Sequence, residues 1–359
     1  MDTGAREMKR KKEHKNFSTA LDLRALAEIV ECFEGKRVVV LGDFVADSFQ
    51  YGNISRVSRE APVLILQHRE TRIVPGAAAN ATNNLVALGA SAIPITVVGD
   101  DAAGDWLVQA FREAKVNVKR ILRVKGGVTP TKTRFLAGWA HTVGQQVLRV
   151  DYEPHSLLAE SHQNRIQALL SSELKKADAL AISDYGFGVA TPEMVRKSLG
   201  RNKRDIPVSL DSRYRLLGYQ GVGVNAATPN EPEMEALHHT VIGQDLSALE
   251  RCGRDTLQKM KLRSLVITRG KDGMAVFQPG QSTVHIPVHG SDQAVDVTGA
   301  GDTVLAAYTL GLASGASPVE AAQIANIAGG LVVMKRGTAT VSRHELLEAI
   351  RKAGSGVAS

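Results

Sequence analysis

The chain has 359 residues, of which 43% are hydrophobic and 23% charged, and a formal net charge of +7. This is the balance of a globular α/β protein large enough to bury a substantial core in one domain or two. No apolar run reaches the roughly 18 residues of a membrane span, which excludes a membrane partner of that kind. The charged N-terminus has no apolar segment behind it, so a secretory signal is not expected, and two cysteines without a motif, Cys32 and Cys252, favour a reducing, cytoplasmic setting. Much of the positive excess lies in a polar tail at residues 1–18 that includes KRKK (9–12) and is expected to be disordered. Without a helix-turn-helix, zinc-finger or ribonucleoprotein signature behind it, the tail gives no ground for a nucleic-acid partner.

In chain order, residues 21–35 (LDLRALAEIVECFEG) carry apolar positions at helical spacing and stop at Gly35. KRVVVLGDFVADSF (36–49) follows as a buried parallel strand that ends in Gly-Asp. GAAANATNNLVALGA (76–90) is helix-compatible, and SAIPITVVGDD (91–101) is again strand then Gly-Asp. Further buried strands are expected at 179–186, 207–213, 223–230, 264–270 and 274–278, with helices between most of them, among them 162–177 and 319–334. Alternation of this kind predicts a doubly wound, mostly parallel α/β sheet. Segments 48–74 and 130–152 read instead as strand pairs without helices, and are expected to form a small inserted antiparallel β lid over the active site. The expected organisation is one folded domain over 19–350 and a flexible C-terminus at 351–359.

Ligands of open α/β sheets bind beyond the carboxyl ends of the strands. Asp43, Asp100, Asp184, Asp211 and Asn230 all fall at such ends. One of them alone would serve to cap the next helix, whereas a row along one edge favours a site. The loop GAGD (299–302), followed by TVLAAYTLGLASG, opens a buried helix. The N–H groups of Gly299, Ala300 and Gly301 would then face outward at the positive helix end, where they stabilise a phosphoryl group in transfer. The loop has no P-loop lysine. Asp302 in the first turn either complements the dipole, worth under about 1 kcal/mol, or takes a proton from an attacking hydroxyl, worth roughly 10²–10⁴-fold. Its position leaves both open. The ten histidines, including His141, His238 and His239, show no ligand spacing for a metal.

DVTGAGD (296–302), PGAAAN (75–80) and GDFVAD (42–47) together resemble the ribokinase or PfkB carbohydrate kinase family, over residues ~36 to ~350. The resemblance implies a ribokinase-like fold and Mg·ATP-dependent phosphorylation of a sugar hydroxyl. It makes Asp302 the catalytic base and Gly299, Ala300 and Gly301 the anion hole. Asp43, Asp47, Gly76 and Asn80 would hold the sugar. NEPE supplies the family's N-x-x-E element through Asn230 and Glu233, the glutamate organising Mg²⁺ through water. TRGKDG (268–273), with Thr268, Gly270 and Gly273, would lie beside the nucleotide, and Asn326 would line the adenine pocket. The family also allows a monovalent cation near 292–298 and a homodimer formed through the lid.

YGNISRVSREAPV (51–63), KTRFLAGWAHTVGQQVLRVDYE (132–153), SDYGFG (183–188) and ANIAGGLVVMKRGTATVS (325–342) narrow the resemblance to the D-glycero-β-D-manno-heptose 7-phosphate kinases. These phosphorylate O1, and they would place the chain in bacterial surface-polysaccharide (lipopolysaccharide) precursor synthesis. Arg56, Lys132 and Arg134 in the lid segments, with Asp184, would then meet the sugar phosphate, and Arg213 the ATP. No H-x-G-H nucleotidyltransferase signature follows residue 350, so the kinase half of the fused enzymes is expected. Four positions depart from the heptose-kinase pattern: Arg59 for Pro, Ala77 for Gly, Phe187 for Lys, and Ser212 in DSR for DPK. They leave phosphoryl transfer in place and open the alternative of another sugar, sugar phosphate or nucleoside as acceptor. The intact loop and N-x-x-E element speak against a non-catalytic binding protein on the same fold.

Overall fold

The computed structural model describes residues 22–354 apart from 139–144, 157, 203, 291–293 and 336. The basic tail at 1–18, Trp139 of the lid and part of the 292–298 loop therefore lie outside the described residues.

Helix α1 (Leu23–Glu31) starts where Asp22 accepts the Ala25 N–H, and leads into β1 (Arg37–Gly42). The chain then crosses into β2 (Phe44–Val57), returns along β3 (Leu64–Ala77) and enters α2 (Ala78–Ala87). Strand β4 (Ser91–Gly99), helix α3 (Ala102–Glu113) and β5 (Ile121–Val124) follow. A second excursion gives β6 (Thr131–Gly138) and β7 (Gln145–Tyr152). The remainder alternates: α4 (Glu160–Glu173), β8 (Ala179–Asp184), α5 (Pro192–Leu199), β9 (Val208–Ser212), β10 (Ala226–Ala227), α6 (Glu231–His238), α7 (Leu246–Met260) and β11 (Ser264–Thr268). Strands β12 (Met274–Phe277) and β13 (Val284–Ile286) precede helices α8 (Ala300–Ala313), α9 (Pro318–Val333) and α10 (Arg343–Gly354). The last helix runs to Gly354, so residues 351–354 of the expected flexible C-terminus are helical, and 355–359 lie outside the described residues.

The main sheet has nine strands in the order β13-β12-β11-β10-β9-β8-β1-β4-β5, parallel except at its β11-β12-β13 edge. Alternate residues of β1 feed two cores: Val38 and Val40 pack with α1, α2, α8 and α9, whereas Val39 and Leu41 pack with α4, α5 and α7. Helix α8 is buried from Asp302 to Gly311, which explains its all-round apolar sequence. The four-stranded lid has the order β3-β2-β6-β7. Its two hairpins are antiparallel as expected, but β2 and β6 join in parallel, Asp47 opposite Lys132, so the lid is a mixed sheet. That pairing sets Asp47, Lys132 and Arg134 along one seam. No helix among the described residues is long and apolar enough to cross a membrane.

At the exit from the lid, Ala77 has φ 53° and ψ −131°, a region that a Cβ disfavours. Such backbone strain costs roughly 1–3 kcal/mol, and Ala77 stands where the resembling family has Gly. Ala77→Gly relieves the strain against a smaller entropic cost, for a net gain of about 1 kcal/mol. Thermal melts should show Tm rising by about 2 °C; a lower Tm would refute the strain.

Candidate active site

Gly299 caps α8 with φ 80°, and a Cβ there would lie 2.5 Å from Asn80 Nδ2. The sharp turn aims the helix N-terminus at the edge of the sheet. Of the three expected anion-hole donors, Ala300 is turned back, its N–H donating to Val297 O at 3.3 Å. Among the described residues no acceptor meets the N–H groups of Gly299, Gly301 or Asp302, so the open donors are those three. Asp302 is 4% exposed; its Oδ2 accepts from Asn80 Nδ2 at 2.9 Å, while Oδ1 is buried without a partner. Burial lifts this carboxyl to about 7, against the lowering effect of the Asn80 hydrogen bond and of Lys132. Asn80 was expected to hold sugar, but it is wholly buried and holds Asp302 and Gly299 O instead. Asn84 Nδ2 fixes it in turn, and Thr303 Oγ1 donates to Asn84 Oδ1 at 3.1 Å.

The lid seam lies over this carboxyl. Asp47 Oδ1 accepts from Arg134 Nη1 at 2.5 Å, both side chains mostly buried. Gly76 stands across from them, and a Cβ on it would come within 2.3 Å of Asp47 Oδ2, so glycine is required for the carboxylate to sit there. Lys132 Nζ lies 4.9 Å from the centre of the Tyr185 ring. Burial, with Arg213, Arg134 and Arg149, pushes this ammonium down, and Asp47 opposes the shift. Four cations thus converge along the seam, Arg134 paired with Asp47 and Arg149 with Asp151, which stands opposite Lys132. Arg56 is not among them: it is exposed near the far end of β2, opposite Ile65.

The strand-end acids divide into different duties. Asp43 Oδ2 accepts the N–H groups of Tyr185 and Phe187 at 2.9 and 3.1 Å, and Oδ1 that of Val189 at 3.1 Å. Burial and neighbouring Asp184 raise its carboxyl to about 6. Asp184 is equally committed: Arg215, Ser212, Tyr219 and the Gly186 N–H all donate to it. These two expected sugar contacts hold the 185–189 loop and the end of β9, and neither presents an open oxygen. Asp100 accepts from the Gly126 N–H at 2.7 Å and Asp101 caps α3, so that strand end is structural. Asp211 and Glu233 face one another across the site. Burial and then Glu233 push the Asp211 carboxyl well up, and burial raises Glu233. Asn230 and Glu233 form a capping box that starts α6. Among the described residues no group of three or more His, Cys, Asp or Glu could hold a metal by itself.

A cleft of about 180 Å³ opens on the other side of the helix N-terminus, lined by Thr268, Gly270, Gly273, Ala300, Gly301 and Asn326. All four residues expected beside the nucleotide or its adenine are here, whereas Arg213 lies toward Lys132 and Glu233. Asn326 Nδ2 donates to Pro287 O at 2.8 Å, which fixes the cleft's wall. In the 294–298 stretch, Asp296 accepts the N–H groups of Thr298 and Gly337 at 2.9 and 3.0 Å. The residue that pattern reading missed is Tyr185, whose phenol is pushed well up foremost by Asp302. It was visible only inside SDYGFG, with nothing local to mark its ring as part of the site.

Residues 36–345 match the model of the pfkB family carbohydrate kinases. The bifunctional protein HldE of Geobacter sulfurreducens is 37% identical over 316 residues, covering 86% of this chain and 62% of that protein. HldE of Geobacter metallireducens is 35% identical over 347 residues, covering 95% of this chain and 65% of its own length. The chain therefore spans under two thirds of these relatives. Phosphofructokinase-2 from Escherichia coli, solved with potassium, superposes with a TM-score of 0.72 at 19% identity, covering 89% of this chain and 99% of its own. Ribokinase of Arabidopsis thaliana, solved with ribose and ATP, gives 0.66 at 18% identity, covering 89% and 99%. These two likenesses establish a ribokinase-like fold. With a family model that covers most of its length, the chain belongs to the pfkB family of carbohydrate kinases, ATP-dependent enzymes that phosphorylate sugars.

Proposed function

We propose that the chain transfers the γ-phosphoryl group of ATP to O1 of D-glycero-β-D-manno-heptose 7-phosphate. The observation that carries this is Asp302: a buried carboxyl with one oxygen unpaired, at a helix N-terminus between an adenine-sized cleft and a cluster of cations. ATP in the cleft would bring its γ-phosphate to the free N–H groups of Gly301 and Asp302. Asp302 Oδ1 takes the proton of the acceptor hydroxyl as its oxygen attacks in line, and the N–H groups take the charge that develops. Lys132 and Arg134 suit the phosphate of a sugar phosphate better than a neutral sugar. Glu233 fits a Mg²⁺ held through water, because Asp211 opposes it with a second raised carboxyl and a cation between them would relieve both. When bound, that ion neutralises phosphate charge. The cytoplasm suits two unpaired cysteines, and the exposed Val57, Val63, Leu64, Val147 and Leu148 of the lid suit a homodimer.

One observation favours a different acceptor. Phe187, where the heptose kinases have Lys, lines an apolar cleft of about 270 Å³ with Val97, Val128, Pro130 and Leu158. A sugar with a smaller or less charged far end is the second reading. A coupled ADP-release assay over a sugar panel separates the two: turnover on the heptose 7-phosphate is expected, and activity confined to ribose or fructose 6-phosphate would sink the first.

Because Asp302 must be ionised to accept a proton, its raised carboxyl predicts that kcat/KM falls away below pH about 7 rather than near 4. Asp302→Asn should lose roughly 10²–10⁴-fold in kcat with ATP binding retained. A variant still at full turnover would remove Asp302 from the chemistry.

A further inference from the structure

The 185–189 loop crosses the site between the lid and the N-terminus of α8, and the reaction as drawn leaves its first side chain unused. Three alternate N–H groups of this loop converge on the buried Asp43 carboxylate, at 2.9, 3.1 and 3.1 Å. Gly186 and Gly188 take φ of 91° and 93°, which lets successive N–H groups turn to the Asp43 and Asp184 carboxylates. The loop is thereby fixed from below, and Tyr185 is held by its own backbone rather than by packing alone. Its ring lies under Lys132, 4.9 Å from Nζ to centroid. Its phenol is raised foremost by the Asp302 charge, and Asp302 Oδ1 is buried without a hydrogen-bond partner, so an acceptor stands open for that hydroxyl.

We infer that Tyr185 is a positioning residue with two separable duties: its hydroxyl steadies the ionised Asp302 carboxylate, and its ring holds Lys132 over the acceptor. The inference rests on the reading of Asp302 as base. A phenol O–H donated to a carboxylate favours the charged form, and so opposes the burial that raises Asp302. The other charged groups around Asp302 are Asp47 from β2, Lys132 from β6 and Asp211 from β9, with Glu233 of α6 facing Tyr185 and Asp211. Of these, only Lys132 favours the ionised form, so loss of the phenol would leave Asn80 and Lys132 alone in that direction. The ring contact is a cation–π pair in a site where burial already penalises the ammonium.

Two substitutions separate the duties in the full chain. Tyr185→Phe keeps the ring and removes the hydroxyl. The acid limb of kcat/KM should move up by about one pH unit, the size of a hydrogen bond to a charged group, with the acceptor KM little changed. Tyr185→Leu removes both, and the acceptor KM should rise roughly tenfold as Lys132 loses its platform. The KM for ATP should stay put in both variants, since Tyr185 is not among the residues lining the nucleotide cleft. An acid limb unmoved in Tyr185→Phe, or an acceptor KM no higher in Tyr185→Leu than in Tyr185→Phe, overturns the inference. Asp302→Asn is assayed alongside: full turnover there overturns the base assignment itself, whereas its loss together with an unmoved limb in Tyr185→Phe overturns the role of Tyr185 alone.

Discussion

The site depends on keeping one carboxylate in a place that water cannot reach. Asp302 sits in the first turn of a helix buried on all sides, where a negative charge loses its hydration and recovers only part of it from the helix dipole. The chain supplies the rest with neutral donors and one lysine rather than with a close ion pair. Asn80 donates directly, and Asn84, itself held by Thr303, holds Asn80 so that its amide cannot turn away. A tight salt bridge would have driven the carboxyl down and made it a poor base. An environment of amide, hydroxyl and burial leaves it near the pH at which it can both hold and release a proton.

The same constraint accounts for the apparent surplus of acids at the strand ends. Asp43 and Asp184 are interior braces: each gathers backbone N–H groups or side-chain donors that would otherwise be stranded beneath the site. Asp47 and Glu233 each commit an oxygen as well, to Arg134 and to the Asn230 N–H, but neither gathers as many donors. The number of donors each acid gathers sorts them more than their position along the strands does.

Much of this was legible where the chemistry is contiguous in the chain. The loop at 299–302, the NEPE element and the turn at 268–273 each carry their geometry within a few residues, and the alternation of strands and helices gave the sheet. Two kinds of feature were not. The parallel joining of β2 to β6 depends on residues more than eighty apart, and no local pattern distinguishes it from an antiparallel seam. The duties of Asn80, Asp43 and Tyr185 depend on what each side chain meets across the fold. A strand-end Asp reads the same whether it faces a ligand or three backbone N–H groups. Ala77 is the converse case: its departure from a glycine pattern was plain in the sequence, but only its φ of 53° gives it a physical cost.

The route of the chain through the lid has its own consequence. The lid is entered at Phe44, one residue after Asp43, and left at Ala77, three residues before Asn80. Its two stems are therefore the brace of the Tyr185 loop and the holder of Asp302. A tilt of the lid would pull on both, so with Asp302 as the proposed base the covalent backbone would act as a lever between whatever the lid grips and the alignment of that carboxyl. Water, which is too small to load that lever, would find the carboxylate set for a different molecule, and a nucleotide waiting in its cleft would be spared idle hydrolysis.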